Sequence, residues 1–258
     1  MTFPTLARDV ISLLPMPAAT ALAPLLDVRN ASFRIGGLQI LDDISFSITP
    51  GEICGIVGPN GSGKSTFLNV VSGFVKPNSV EIRYAEQDIS RDAPWQRARK
   101  GIGRSFQAVR VVETATARKN VESGLVHRGG TGHDVDARVM RALERVQVAE
   151  FADWPLRYLS YGTRRKVELA RVIVGEPDLL LADEPTAGVS RAHIVSIENL
   201  LREEAERGCA VVIVDHDLEF IRRIATRVVV FDFGKEIFMG TPEEAFSDPH
   251  VVEAYIGT

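Results

Sequence analysis

From Leu25 to Gly51 (LLDVRNASFRIGGLQILDDISFSITPG) apolar and polar residues broadly alternate on either side of Gly36-Gly37. A period of two with a glycine pair between the runs predicts short antiparallel strands joined by a tight turn. EICGIVG follows as a buried strand leading straight into a glycine-rich loop and the helix FLNVVSGF. Tyr84 to Lys100 is polar, contains Pro94 and carries many charges, and His127 to Asp134 (HRGGTGHD) has the composition of a loop. In DARVMRALERVQVAEF, Val139, Leu143 and Val146 share one helical face. Strand DLLLAD, a helix through IENLLREEAERG, strand CAVVIVDH, helix LEFIRRIAT and strands RVVVFDFG and EIFMG complete the chain. Strands alternating with helices predict an α/β fold with a mainly parallel sheet covered on both faces. The stretch from about 88 to 158 is rich in helix and poor in strand, which predicts an inserted helical subdomain.

Residues 1–24 stand apart as an N-terminal extension, and 25–258 form the domain. The extension is apolar, and Ala21-Leu22-Ala23 resembles a signal-peptidase site. However, no basic segment leads it, Asp9 interrupts it, and Pro15 and Pro17 break its helix. It reads as a loose extension, with contact to a membrane or partner as the alternative. A chain of 258 residues, 45% hydrophobic, suits one large α/β domain. The net charge of −4 gives no global attraction to nucleic acid, so none is expected as a partner. Cys54 and Cys209 each sit in an apolar run and read as small buried strand residues in a reducing compartment. No apolar stretch reaches the roughly 20 residues that cross a bilayer.

Candidate chemistry begins at Gly58-Pro59-Asn60-Gly61-Ser62-Gly63-Lys64-Ser65, followed by Thr66, a G-x-x-x-x-G-K-[ST] loop between strand and helix. Its glycines let backbone N–H groups converge on phosphate oxygens, and the following helix turns its positive end to the same anion. Lys64 supplies a point charge for the β and γ phosphates, and the Ser65 hydroxyl a ligand for Mg²⁺. Asp183 and Glu184 close the apolar run Leu179–Ala182, at the sheet edge where ligands of such folds bind. Asp183 suits Mg²⁺ held through water, and Glu184 suits the general base that polarises the attacking water. Leu159-Ser160-Tyr161-Gly162-Thr163 opens a further helix whose N–H groups can face phosphate. Arg164, Arg165 and Lys166 follow, either beside a bound anion or as a solvated basic patch.

In this order the motifs resemble the ABC transporter ATPases over roughly 25–258, with LSYGT in the place of the LSGGQ signature. The resemblance implies the P-loop ABC cassette fold and ATP hydrolysis with ATP and Mg²⁺ bound. It makes Gln107 in GRSFQ the glutamine that senses Mg²⁺ and water, and His216 in VDHD the switch histidine at the γ-phosphate. It also implies that residues 159–163 act on the nucleotide of a second ATPase subunit, identical or paralogous. GIGRSFQAVRVVETATARKNVESGL, LSYG, DEPTAGV and VVEAYIG are similar to one branch, the branched-chain amino-acid importers and their relatives for urea, short amides and aromatic acids. That branch implies transmembrane permease subunits, an external solute-binding protein reached indirectly, and a peripheral place on the cytoplasmic face of the cell membrane. An export system or a soluble ABC ATPase is the alternative, and the absence of an N-K-x-D tetrapeptide argues against a GTPase.

Four positions depart from the family pattern, one of them Tyr161 in place of a signature glycine, a change that suits the importer branch. Ile35 stands 29 residues before Lys64, where the adenine-stacking aromatic is usual, so Phe33 or an aliphatic surface takes that role. Thr163 replaces the signature glutamine, and Ser190 replaces an aspartate in the loop after Glu184. Val109, Val111 and Val112 either line a groove for a permease helix or pack the subdomain's own core.

Overall fold

The computed structural model describes residues 23–125 and 133–256. Most of the extension at 1–24 and of the loop at 127–134 lies outside them. In chain order the elements are β1 (Leu26–Ile35), β2 (Leu38–Ile48), β3 (Ile53–Val57), α1 (Lys64–Val71), β4 (Ser79–Tyr84), β5 (Gln87–Asp88), α2 (Pro94–Arg99) and β6 (Ile102–Arg104). There follow α3 (Ala117–Glu122), α4 (His133–Arg145), α5 (Tyr161–Ile173), β7 (Leu179–Asp183), α6 (Arg191–Glu206), β8 (Ala210–Val214) and α7 (Leu218–Ile224). β9 (Arg227–Asp232), β10 (Lys235–Gly240), α8 (Pro242–Ser247) and α9 (Pro249–Ile256) end the described chain.

β1 and β2 pair antiparallel through the turn at Gly36 and Gly37. Both glycines have positive φ, +54° and +89°, as a two-residue hairpin turn with right-handed strand twist requires. With β4 and β5 they form a four-stranded sheet in the order β2-β1-β4-β5. The second sheet runs β10-β9-β3-β8-β7-β6, and every neighbouring pair is parallel except β10 with β9.

Alternation within the central strands divides the core in two. Leu180 and Ala182 of β7 and Val211 and Ile213 of β8 join the helices α3 to α7. Leu179 and Leu181, with Val212 and Val214, pack instead toward α1 and the four-stranded sheet. A parallel sheet covered on both faces is apolar at every position, which is why these strands read as unbroken hydrophobic runs. Val139 and Leu143 of α4, and Val146 just beyond it, are all buried. Cys54 in β3 and Cys209 ahead of β8 are buried too, and burial pushes each thiol up to about 12. β6 lies inside the stretch that composition marks as helical. Its three residues are too few to show a strand period, yet they extend the parallel sheet beside β7.

Candidate active site

β3 delivers the chain to the phosphate loop at one edge of the parallel sheet, and α1 carries it away. Gly58 has φ +146°, and a Cβ there would lie 2.0 Å from the Phe231 carbonyl oxygen. Gly63, at φ +102°, would place a Cβ 2.7 Å from the Ile40 carbonyl oxygen. The loop is thus clasped by two other segments, and no side chain fits at either point. Ser62 accepts a hydrogen bond from the Gly234 N–H at 3.1 Å, and the Gly234 carbonyl accepts one from the Asp42 N–H at 2.8 Å. Gly63 caps α1 without a side chain, so the positive helix end faces outward with no acidic group in its first turn. Lys64 folds over the loop and donates from Nζ to the Gly58 and Pro59 carbonyls at 2.8 and 2.7 Å. Burial lowers its pKa, against the raising pull of Glu184 and Asp183. Lys64 lines a cavity of about 330 Å³ together with Ile40, Asn60, Gly61, Gly63, Ser65, Thr66, Gln107, Glu184 and His216.

The two carboxylates sit differently. Asp183 ends β7 almost fully buried, where Ser65 Oγ donates to Oδ1 at 3.1 Å and Arg104 Nη2 donates to Oδ2 at 3.0 Å. Burial raises the Asp183 pKa, while Arg104 and Ser65 pull it down. Glu184 is one of the few non-glycine residues in the left-handed region, at φ +48°. Its N–H bonds the Val214 carbonyl at 2.7 Å, which turns the side chain out of the sheet and into the cavity. There Gln107 Nε2 donates to Oε2 at 3.0 Å, and His216 Nε2 lies 2.6 Å from Oε1. Gln107, Glu184 and His216, 109 positions apart at their extremes (216 − 107), thus form one chain beside Lys64. The donors near the loop are hard oxygens, the Ser65 hydroxyl and the Asp183 carboxylate, and they suit a small divalent cation such as Mg²⁺.

Residues 159–163 do not line this cavity. Ser160 caps α5, its Oγ accepting from the Thr163 N–H at 3.2 Å and touching Thr163 Oγ1 at 2.9 Å. Leu159 and Gly162 are buried, and a Cβ on Gly162 would strike His193 at 2.5 Å. The Tyr161 ring rests against Gly188 with 43% of the residue exposed. At the hairpin, Phe33 packs on the core while Ile35 and Leu38 stand exposed, and Ile40 lines the cavity. Val111 is partly buried against the core cluster that includes α3 to α7, whereas Val112 is 60% exposed.

Three side chains escape a reading of sequence alone. Arg104 bridges Asp183 and the Ser72 hydroxyl. Arg165, one of three consecutive basic residues, is fully buried instead of solvated. Asp215 accepts from both the N–H and the hydroxyl of Thr186, tying the loop after Glu184 to the residue before His216. A signal for Arg165 does exist: Gly162, Arg165 and Leu169 fall on one i, i+3, i+7 row of α5, its buried face.

Residues 41–187 match the ABC transporter family. The chain belongs to that family. LivG of Escherichia coli (strain K12), a high-affinity branched-chain amino acid transport ATP-binding protein, is 31% identical over 91% of this chain and 98% of its own length. A nucleotide-free ATP-binding cassette from an ABC transporter superposes with a TM-score of 0.85 at 28% identity, covering 92% of this chain and all of that one. The cassette MJ0796, a dimer in a post-hydrolysis state with ADP and phosphate bound, gives 0.77 at 26% identity, over 84% of this chain and 98% of its own. The present chain is therefore the nucleotide-binding, ATP-hydrolysing cassette of an ABC system, with the α/β architecture expected of it. No helix among its described residues is long and apolar enough to cross a membrane.

Proposed function

We propose that this cassette powers import of branched-chain or related small hydrophobic amino acids, working as one of two ATPase subunits beneath a transmembrane permease on the inner face of the cell membrane. The likeness to LivG over nearly the whole of both chains supports the substrate class. The observation that carries the mechanism is Glu184 held between Gln107 and His216 at the mouth of the phosphate loop.

In this reading the loop amides and Lys64 bind the β and γ phosphates of ATP, with Lys64 leaving its carbonyl partners for the anion. Ser65 and Asp183 would hold Mg²⁺, with Gln107 nearby, and the ion would neutralise charge on the phosphate oxygens. Glu184 accepts the proton of the attacking water as the new O–P bond forms and the bond to the β-phosphate oxygen breaks. His216 steadies the γ-phosphate, and Gln107 aligns the water and reports on the site toward the permease. Residues 159–163, absent from this cavity, complete the matching site of a second subunit. The two-subunit arrangement of MJ0796 supports that pairing.

ATP turnover by wild type and Glu184→Gln, with oligomeric state recorded with and without Mg·ATP, tests the mechanism. Turnover should fall about 10²–10⁴-fold while nucleotide binding persists; a Glu184→Gln protein turning over at the wild-type rate refutes it. Leucine uptake by cells lacking this chain tests the substrate: unchanged uptake removes the branched-chain assignment.

A further inference from the structure

Arg165 lies at the signature end of α5, in the second turn, and none of its surface reaches solvent. Its guanidinium gathers three separate segments. Nη2 donates to the Asp183 and Glu184 carbonyls at 2.8 and 2.6 Å, and Nε donates to Pro185 at 3.3 Å. Nη1 donates to the Phe106 carbonyl, immediately before Gln107, at 2.5 Å, and to Glu168 Oε2 at 2.7 Å. Glu168, equally buried, also accepts the Arg110 N–H at 3.2 Å on the far side of Gln107. A left-handed non-glycine residue persists only when its surroundings over-determine it, and the Glu184 carbonyl accepts from this side chain at 2.6 Å as well as from the Ala187 N–H at 3.2 Å.

We infer that Arg165 is a positioning residue for hydrolysis, locking the backbones that carry Gln107 and Glu184 to the helix opened by the signature. The inference rests on the reading of Glu184 as general base. A planar fork with five donors can reach all of these acceptors at once, and a lysine ammonium cannot. Movement of the start of α5, which in the proposed dimer faces the second nucleotide, therefore reaches Glu184 and Gln107 through one group.

The full chain is compared as wild type, Arg165→Lys, Arg165→Met/Glu168→Met and Glu184→Gln. Hydrogen exchange is followed in peptides covering 105–107 and 183–187, alongside equilibrium binding of a fluorescent ATP analogue, kcat, KM and thermal melting. In Arg165→Lys, exchange of the Glu184 amide should rise about ten-fold or more, and kcat should fall about 10²-fold with KM and analogue affinity nearly unchanged. Unchanged exchange overturns the inference whatever the turnover. So does full turnover in Arg165→Lys, which would reduce Arg165 to a buried charge, or a loss of nucleotide binding in step with kcat, which would mark a general loosening. If Arg165→Lys does not fold, the paired methionine variant, which leaves no buried charge alone, is held to the same outcomes. Full turnover in Glu184→Gln refutes the base assignment alone, because the exchange result stands independently.

Discussion

Replacing Arg104 by methionine leaves the Asp183 carboxylate buried without its cation. Both side chains are about 95% covered, 5% and 4% exposed, and they meet at 3.0 Å. Solvent can neither screen the pair nor rehydrate the survivor, so the cost is that of breaking a buried ion pair from one side, about 3–5 kcal/mol. Arg104 also donates to Ser72 Oγ at 2.6 Å and lies over the Phe106 ring at 5.1 Å, and both contacts go with it. At about 2–4 °C per kcal/mol for a chain near this size, the nucleotide-free melting temperature should drop by roughly 6–20 °C at neutral pH. The pH dependence has a definite sign. Burial already holds the folded Asp183 pKa above its ordinary 3.8, and Arg104 is the largest opposing pull. Without it the folded value climbs further, so the penalty is greatest where the carboxyl is charged and fades as pH falls through that raised value. Melts of wild type and Arg104→Met at pH 7.5 and pH 5 decide the matter. A drop of less than about 3 °C at neutral pH, or one that widens on acidification, refutes the reasoning.

Two further outcomes follow from the geometry. Gly63→Ala drives a Cβ to 2.7 Å from the Ile40 carbonyl at a φ of +102°; ATP affinity by calorimetry should fall at least about ten-fold, and a value within about two-fold of wild type speaks against the clasped loop. Both thiols are pushed from 9.0 up to about 12 by burial, so the unfolded chain releases their protons first as pH rises. Stability should therefore decline between those values by up to about 1.4 kcal/mol per pH unit for each cysteine, and Cys54→Ala/Cys209→Ala should flatten that decline in alkaline urea melts.

Much of the architecture is legible because its signals are local. The alternation around Gly36-Gly37, the apolar runs of β3, β7 and β8, and the glycine loop ahead of Lys64 each declare themselves within a dozen residues. Asp183 and Glu184 are equally plain at the end of their strand. The supports of the site are not local. Arg104 finds Asp183 79 positions away, and Arg165 finds the Phe106 carbonyl 59 positions away. Three basic residues in a row look alike in sequence, and only the packing of α5 sends Arg165 inward while Arg164 reaches the exposed Glu113. Ile40 was equally silent, because the choice between hairpin residues for the cavity wall depends on how the two sheets meet.

The clasp on the phosphate loop adds a polar tie between two sheets that already share a core. Asp42 of the antiparallel sheet, Gly234 between β9 and β10, and Ser62 of the loop form one hydrogen-bonded relay, and the Ile40 carbonyl presses on the space beside Gly63. Because the sheets share that core, shear between them would strain the loop along with it. A phosphate group gripped there acts as a rivet, so nucleotide should raise the force needed to part the sheets.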